Sequence, residues 1–188
     1  MRKSLTLLAA AATLSTGAFA ADYAIDPTHT FATFEIGHFG ASVNRGRFDK
    51  KEGKVTFDKA AKTGSVDISF DVASVNTGTP NFDKHLQSAD ILNAEKFPKA
   101  RFVSTKFHFN GDKVSAVDGN LTLLGKTQPV TLKANQFNCF ESPIFKREVC
   151  GGDFETTIDR TAFGVDYGVN WGFPKAVRLV IQVEAVKQ

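Results

Sequence analysis

Four histidines, His29, His38, His85 and His108, and two cysteines, Cys139 and Cys150, carry the widest chemical repertoire in this 188-residue chain. An imidazole can move a proton near neutral pH or ligate a metal, and a thiolate can attack or ligate. The histidines show no metal-ligand spacing. The chain also lacks His-Glu-x-x-His, Gly-x-Ser-x-Gly, a Walker-type loop and a dinucleotide glycine fingerprint. Asp71, Asp83 and Asp90 are the carboxylates that folding could bring to His85 for hydrolysis or isomerisation. The two cysteines read as a disulfide closing a short loop, with two free thiols as the alternative. A metal role would need further Cys or His close by, and none is there.

His38 continues the face that carries Phe34 and Ile36, so alternation points it inward near a strand end. It can be a core imidazole bonded to backbone, a group at a ligand's polar end, or a metal ligand. A neutral imidazole donates one hydrogen bond and accepts another, which suits a quinone carbonyl or a phosphate oxygen. Asp83-Lys84-His85-Leu86 with Ser88-Ala89-Asp90 reads as a capped amphipathic helix with its charges in water. The functional alternative is a lid that turns Leu86, Ile91 and Leu92 toward a lumen. Phe163, Tyr167 and Trp171 admit the same pair of readings. They are core plugs, or a cavity wall offering a hydroxyl and an indole N–H to a headgroup.

The elements that must position these groups are strands. Phe31 to Phe39, Gly53 to Asp58, Ser65 to Val72, Arg101 to Asn110, Lys113 to Leu124, Gln128 to Asn138, Gly152 to Arg160 and Ala176 to Val186 all alternate. Asn110-Gly111-Asp112 and Leu124-Gly125-Lys126 supply glycine turns. The pattern predicts an all-β antiparallel meander of about eight strands, with a short helical insertion over Asn81 to Pro98. There Phe82, Leu86 and Ala89 share a helix face, Asn81 caps the start and Asn93 caps a second turn. Eighteen Phe against one Trp and two Tyr imply many wholly apolar positions. Closing such a sheet into a barrel removes its edges, and an eight-stranded barrel is either filled or has room for one small ligand. Alternation alone leaves that choice open.

Arg2 and Lys3, an apolar run from Leu5 to Leu14, and Ala18-Phe19-Ala20 form a secretory signal. Cleavage is expected after Ala20, giving one domain over 21–188 in the periplasm, with no membrane span and no lipoprotein Cys at the cut. Without Arg2 and Lys3 the acids and bases nearly balance and lie interspersed, which argues against a nucleic-acid partner.

The run from Asp83 to Pro98 (DKHLQSADILNAEKFP) resembles the signature stretch of the YceI-like proteins. Gly119 to Leu132 resembles that family's strand–turn–strand element, and Phe154-x-x-x-Ile158-Asp159-Arg160-x-x-Phe163-Gly164 its late strand and turn. The two cysteines and Val149 to Phe154 look most like a neisserial, ubiquinone-binding member. The resemblance implies a lipocalin-like barrel, hollow along its axis, that holds an isoprenoid quinone, a polyprenyl phosphate or a related long lipid. It implies no cofactor beyond that ligand, no catalytic residue, and homodimers as an expectation. The candidate ligand-binding set is Phe34, Ile36, His38, Phe48, Phe57, Phe70, Val72, Leu86, Ile91, Leu92, Phe102, Phe154, Ile158, Phe163, Tyr167 and Trp171. Two other functions compete with a carrier: an isomerase or hydrolase using His38 or His85, and a filled structural barrel.

Overall fold

The computed structural model describes residues 20–188, so the predicted leader lies outside the described residues except for Ala20. Eleven strands form one sheet: β1 (Ala21–Ile25), β2 (Phe31–His38), β3 (Ser42–Phe48), β4 (Lys51–Asp58), β5 (Thr63–Asp71), β6 (Val75–Asn76), β7 (Lys99–Asn110), β8 (Lys113–Leu123), β9 (Lys126–Glu141), β10 (Glu148–Asp159) and β11 (Ala176–Lys187). From β4 onward the long strands form an antiparallel meander. Closure comes from β11, whose last residues pair with β1 (Ala185 with Ile25) while its first half pairs with β2 (Leu179 with Phe34). β1 with β2, β3 with β4 and β5 with β6 each act as one broken stave. The result is a closed barrel of eight antiparallel staves with one short helix, α1 (Pro80–Gln87).

Three strands are not legible as separate elements in the alternation, the two-residue β6 being too short to show a period. β1 abuts the leader. β3 reads Ser-Val-Asn-Arg-Gly-Arg-Phe, too polar to register as a half-buried strand, yet it pairs with β2 along its full length. Hairpin geometry agrees with the turn residues: Leu124 and Gly125 both have positive φ (50° and 71°), the conformation a two-residue turn between twisted strands requires. The cap of α1 falls two residues before the expected Asn81. Thr79 occupies the cap position, and Pro80 opens the first turn, where its missing N–H costs nothing. Of the expected helix face, Phe82 and Leu86 lie on α1, whereas Ala89 falls beyond its end at Ser88. Asn93 does cap the following turn, its Oδ1 accepting from the Lys96 N–H at 3.4 Å.

The two ends of the barrel differ. α1, the turn to Pro98 and the irregular stretch 160–175 gather over one end, packed on Val72, Val75, Ala100 and Val165. At the other end Phe57 is ringed by Tyr23, Phe107, Phe109 and Phe137, with centroids 5.5 to 6.5 Å away. Cys139 and Cys150 face each other across β9 and β10 at that end and form a disulfide.

Candidate functional site

Between the aromatic plug and the helical cover runs a cavity of about 390 Å³ with an almost wholly apolar wall. That volume falls in the range of a site for one small ligand. Inward positions on β11 are the odd residues Val177 to Ala185. Taking ~3.3 Å per residue and a strand tilt of ~40°, they span about 20 Å along the axis. Spread over that length, the volume makes a bore roughly 5 Å across, the gauge of one hydrocarbon chain. Ala32, Phe34, Ile36, Val55, Val66, Leu121 and Ile181 point to the axis yet are only partly buried, as side chains on a hollow wall must be.

Two glycines make room for lumen rings. A Cβ on Gly46 would stand 2.5 Å from Phe34 Cζ, and a Cβ on Gly119 would meet the Phe102 ring. Both rings therefore lie flat against the neighbouring stave instead of crossing the bore. Farther down, Phe48 packs 6.3 Å from both Phe34 and Phe70. At the floor the Tyr23 hydroxyl donates to Glu148 Oε1 at 2.7 Å. Burial first, and that hydrogen bond second, push its pKa well above the ordinary tyrosine value, so it stays protonated.

Polar side chains collect at the covered end. His38 sits edge-on to Phe39 and Phe173, at 5.0 and 5.3 Å. His85 meets Tyr167 at 4.9 Å, and Tyr167 meets Trp171 at 5.2 Å. The cavity wall at this end includes His38, Asn44, His85, Arg160 and Tyr167.

Thirteen of the sixteen candidates from sequence stand on the cavity wall: Phe34, Ile36, His38, Phe48, Phe57, Phe70, Leu86, Ile91, Leu92, Phe102, Phe154, Ile158 and Tyr167. Three stand elsewhere. β5 ends at Asp71, whose carboxylate accepts from the Ala73 N–H, and the resulting turn tucks Val72 beneath α1. Phe163 lies in the 3-10 turn Arg160–Phe163 and packs behind the wall with Ile158 and Val177. Trp171 is 64% exposed and covers Tyr167 from outside. Sequence reasoning passed over Tyr23, Phe82, Phe107, Phe137, Phe173 and Arg160, and the inward faces of β8, β9 and β11. Alternation in β11 was there to be read. Arg160 shares the even-numbered face of Phe154 and Ile158, but its charge argues against a place on an apolar wall.

No dyad forms around His85. Asp83 accepts from the Thr77 N–H and hydroxyl, Asp71 caps its own turn, and among the described residues no side-chain hydrogen bond joins either, or Asp90, to His85. His38 belongs to neither of the clusters with metal-ligand geometry found among the described residues.

Comparisons with known proteins agree with this architecture. Residues 23–185 match the YceI-like domain. A UPF0312 protein of Shewanella denitrificans is 36% identical over 197 residues, covering all of both chains. One from Pseudomonas aeruginosa is 37% identical over 193 residues, again end to end. Among solved structures, the YceI protein of Campylobacter jejuni superposes with a TM-score of 0.71 at 25% identity, over 81% of this chain and 90% of that one. A polyisoprenoid binding domain from Saccharophagus degradans shares the fold at a TM-score of 0.65 and 13% identity, over 90% and 100% of the two chains. The family match spans almost every described residue and the relatives align over their full length, so the chain belongs to the YceI-like family.

Proposed function

We propose that this protein binds and carries a single-tailed isoprenoid lipid, a long-tailed quinone such as ubiquinone or a polyprenyl phosphate, with the tail in the lumen. One observation carries the reading: a greasy bore about as wide as one chain, sealed at one end by Phe57 and its neighbours, with His38, His85, Arg160 and Tyr167 gathered at the other. Such a shape orients its occupant, tail toward Phe57 and head toward His38, His85 and Tyr167. The fold it shares with a polyisoprenoid binding domain points the same way. Affinity comes from the tail, since each buried methylene contributes roughly 0.8 kcal/mol. The polar groups contribute orientation. Among the described residues no hydrogen bond joins His38 or His85 to a carboxylate, which favours a carrier over an isomerase or hydrolase.

The same proposal places the protein in the periplasm after cleavage following Ala20. In support, the first strand begins at Ala21, so the cut leaves every stave whole. Purifying the protein from a periplasmic fraction and extracting it for mass spectrometry tests both halves. The expected result is a mature N-terminus at Ala21 and a co-purified isoprenoid lipid. A lipid-free protein that takes up neither added long-chain quinone nor polyprenyl phosphate would end the proposal. Native mass spectra from the same sample also report whether two copies associate.

A further inference from the structure

Arg160 continues the inward, even-numbered face of β10 past Ile158 and is only 5% exposed. Its Nε donates to the Pro174 carbonyl, and its Nη1 to the carbonyls of Val165 and Tyr167, each at 2.9 Å. These bonds pin the late loop to the barrel rim. They leave Nη2 with no partner, although that atom is sealed from water. Among the described residues no carboxylate stands within ion-pair distance of the group, although Asp166 and then Asp159 lie near enough to favour its charge. Asp159, its neighbour in sequence, spends its Oδ1 on the Thr161 N–H and hydroxyl.

A guanidinium keeps its charge in proteins, so this cation cannot escape by deprotonation. Burying it unpaired is costly, and buried N–H groups are nearly always satisfied. Three neutral carbonyls hold the side chain but supply no counter-charge. Among the described residues no acceptor remains for Nη2, and Arg160 lies on the wall of a cavity that could deliver one.

We propose that Arg160 is the headgroup anchor of the lumen, and that the preferred ligand is a single-tailed amphiphile whose head carries anionic oxygens, a phosphate or a carboxylate. This rests on the lumen reading above and sharpens it. Nη2 lies just beneath the cavity wall and offers two N–H donors to anionic oxygens that displace the atoms covering it, while His38, His85 and Tyr167 line the same cavity. A neutral head would fill the same bore and add no charge opposite the guanidinium.

The test holds the tail constant and changes the head. Geranylgeranyl phosphate, geranylgeranoic acid, geranylgeraniol and geranylgeranylamine are titrated into the delipidated protein, with Trp171 fluorescence as the readout. The wild-type protein should bind one or both anions at least ~10-fold more tightly than the alcohol, with the amine weakest; which anion leads distinguishes phosphate from carboxylate. Arg160→Gln should lose that preference, any loosening of the late loop changing the affinity for all four heads alike, and Arg160→Lys should retain part of it. Equal affinity for all four heads in the wild type would overturn the anchor and leave the lumen reading standing. So would a preference that survives Arg160→Gln. Failure of all four to bind would overturn the lumen reading as well. Should Arg160→Gln not fold, the wild-type head series decides alone.

Discussion

Ala32 lies halfway along the bore, paired with Ile181 on one side and Phe48 on the other, and it offers only a methyl group to the lumen. Ala32→Trp should therefore place an indole across a channel roughly 5 Å wide and divide it. Extended covalent geometry gives about 1.2 Å per backbone bond, so a four-bond isoprene unit spans ~5 Å and the ~20 Å lumen takes about four. A plug at half depth excludes about two units, or ten carbons, worth ~8 kcal/mol gross at ~0.8 kcal/mol each. Tail ordering and imperfect packing take back part of this, and a net loss of ~4 kcal/mol corresponds to about a thousandfold in Kd. Isothermal titration with a tail-length series reads it directly. In the wild type, affinity should climb with each unit up to about four and then level off. In Ala32→Trp it should level off at about two, with the one- and two-unit compounds unaffected. If the variant stays folded and binds the four-unit tail as tightly as the wild type does, the tail does not run down the axis.

Three further perturbations follow. Gly46→Ala places a methyl where Phe34 Cζ is 2.5 Å away, so the ring must swing into the bore; the expected result is weaker binding of every tail length at an overpacking cost of ~1–3 kcal/mol, read by titration and melting together. Replacing both Cys139 and Cys150 with Ser releases a crosslink with a sequence separation of 11. That should cost about 3 kcal/mol and, for a chain of this length, lower Tm by roughly 10 °C. Burial alone would raise the Asp26 carboxyl, but hydrogen bonds from His29 and Thr28 outweigh it and bring the pKa to about 2. The folded value lies below the unfolded one, so its contribution, about 2 kcal/mol, is complete above about pH 4 and drains away as the pH falls toward 2. Asp26→Asn should lower stability at pH 6 by that order and flatten the acid limb of urea melts. His29 shifts upward through the same bond, so its share is present at low pH and fades as the pH rises through its folded value.

The barrel was legible in the sequence because each long stave buries one face, and a period of two survives in residues such as Val66, Ile68 and Phe70. What escaped has identifiable physical causes. On β9 the inward residues run Val130, Leu132, Ala134 and then Phe137 and Cys139, because a bulge opposite Asp153 and Phe154 flips the parity. Similar shifts on β7 and β8 move Phe107 and Val117 inward. A bulge is a tertiary adjustment of twist and leaves no local composition mark. The broken staves were hidden for a related reason: β11 serves two short partners in turn, and that division shows only in the pairing. Arg160 is the extreme case. Its burial depends on carbonyls 5 to 14 residues downstream in a loop with no periodicity, so its environment exists only once that loop has folded back.

The hollow is also an energetic statement. Empty apolar cavities in protein cores cost about 24 cal/mol per Å³, which for about 390 Å³ comes to ~9 kcal/mol, as large as the whole stability of a typical domain. A lumen that admits water recovers part of that, though an apolar wall returns few hydrogen bonds to it. The closed hydrogen-bonded ring, the ring cluster around Phe57 and the Cys139–Cys150 bridge all strengthen the frame around the void without filling it. On the proposed reading, the barrel stores, as exposed internal surface, the free energy that a tail would release on entering. Binding and folding become one linked equilibrium, in which a ligand at a hundred times its Kd adds about 2.7 kcal/mol to stability. The floor rings around Phe57 give up no such energy, being already packed against one another, so the proposed tail would stop there and leave its head at the rim.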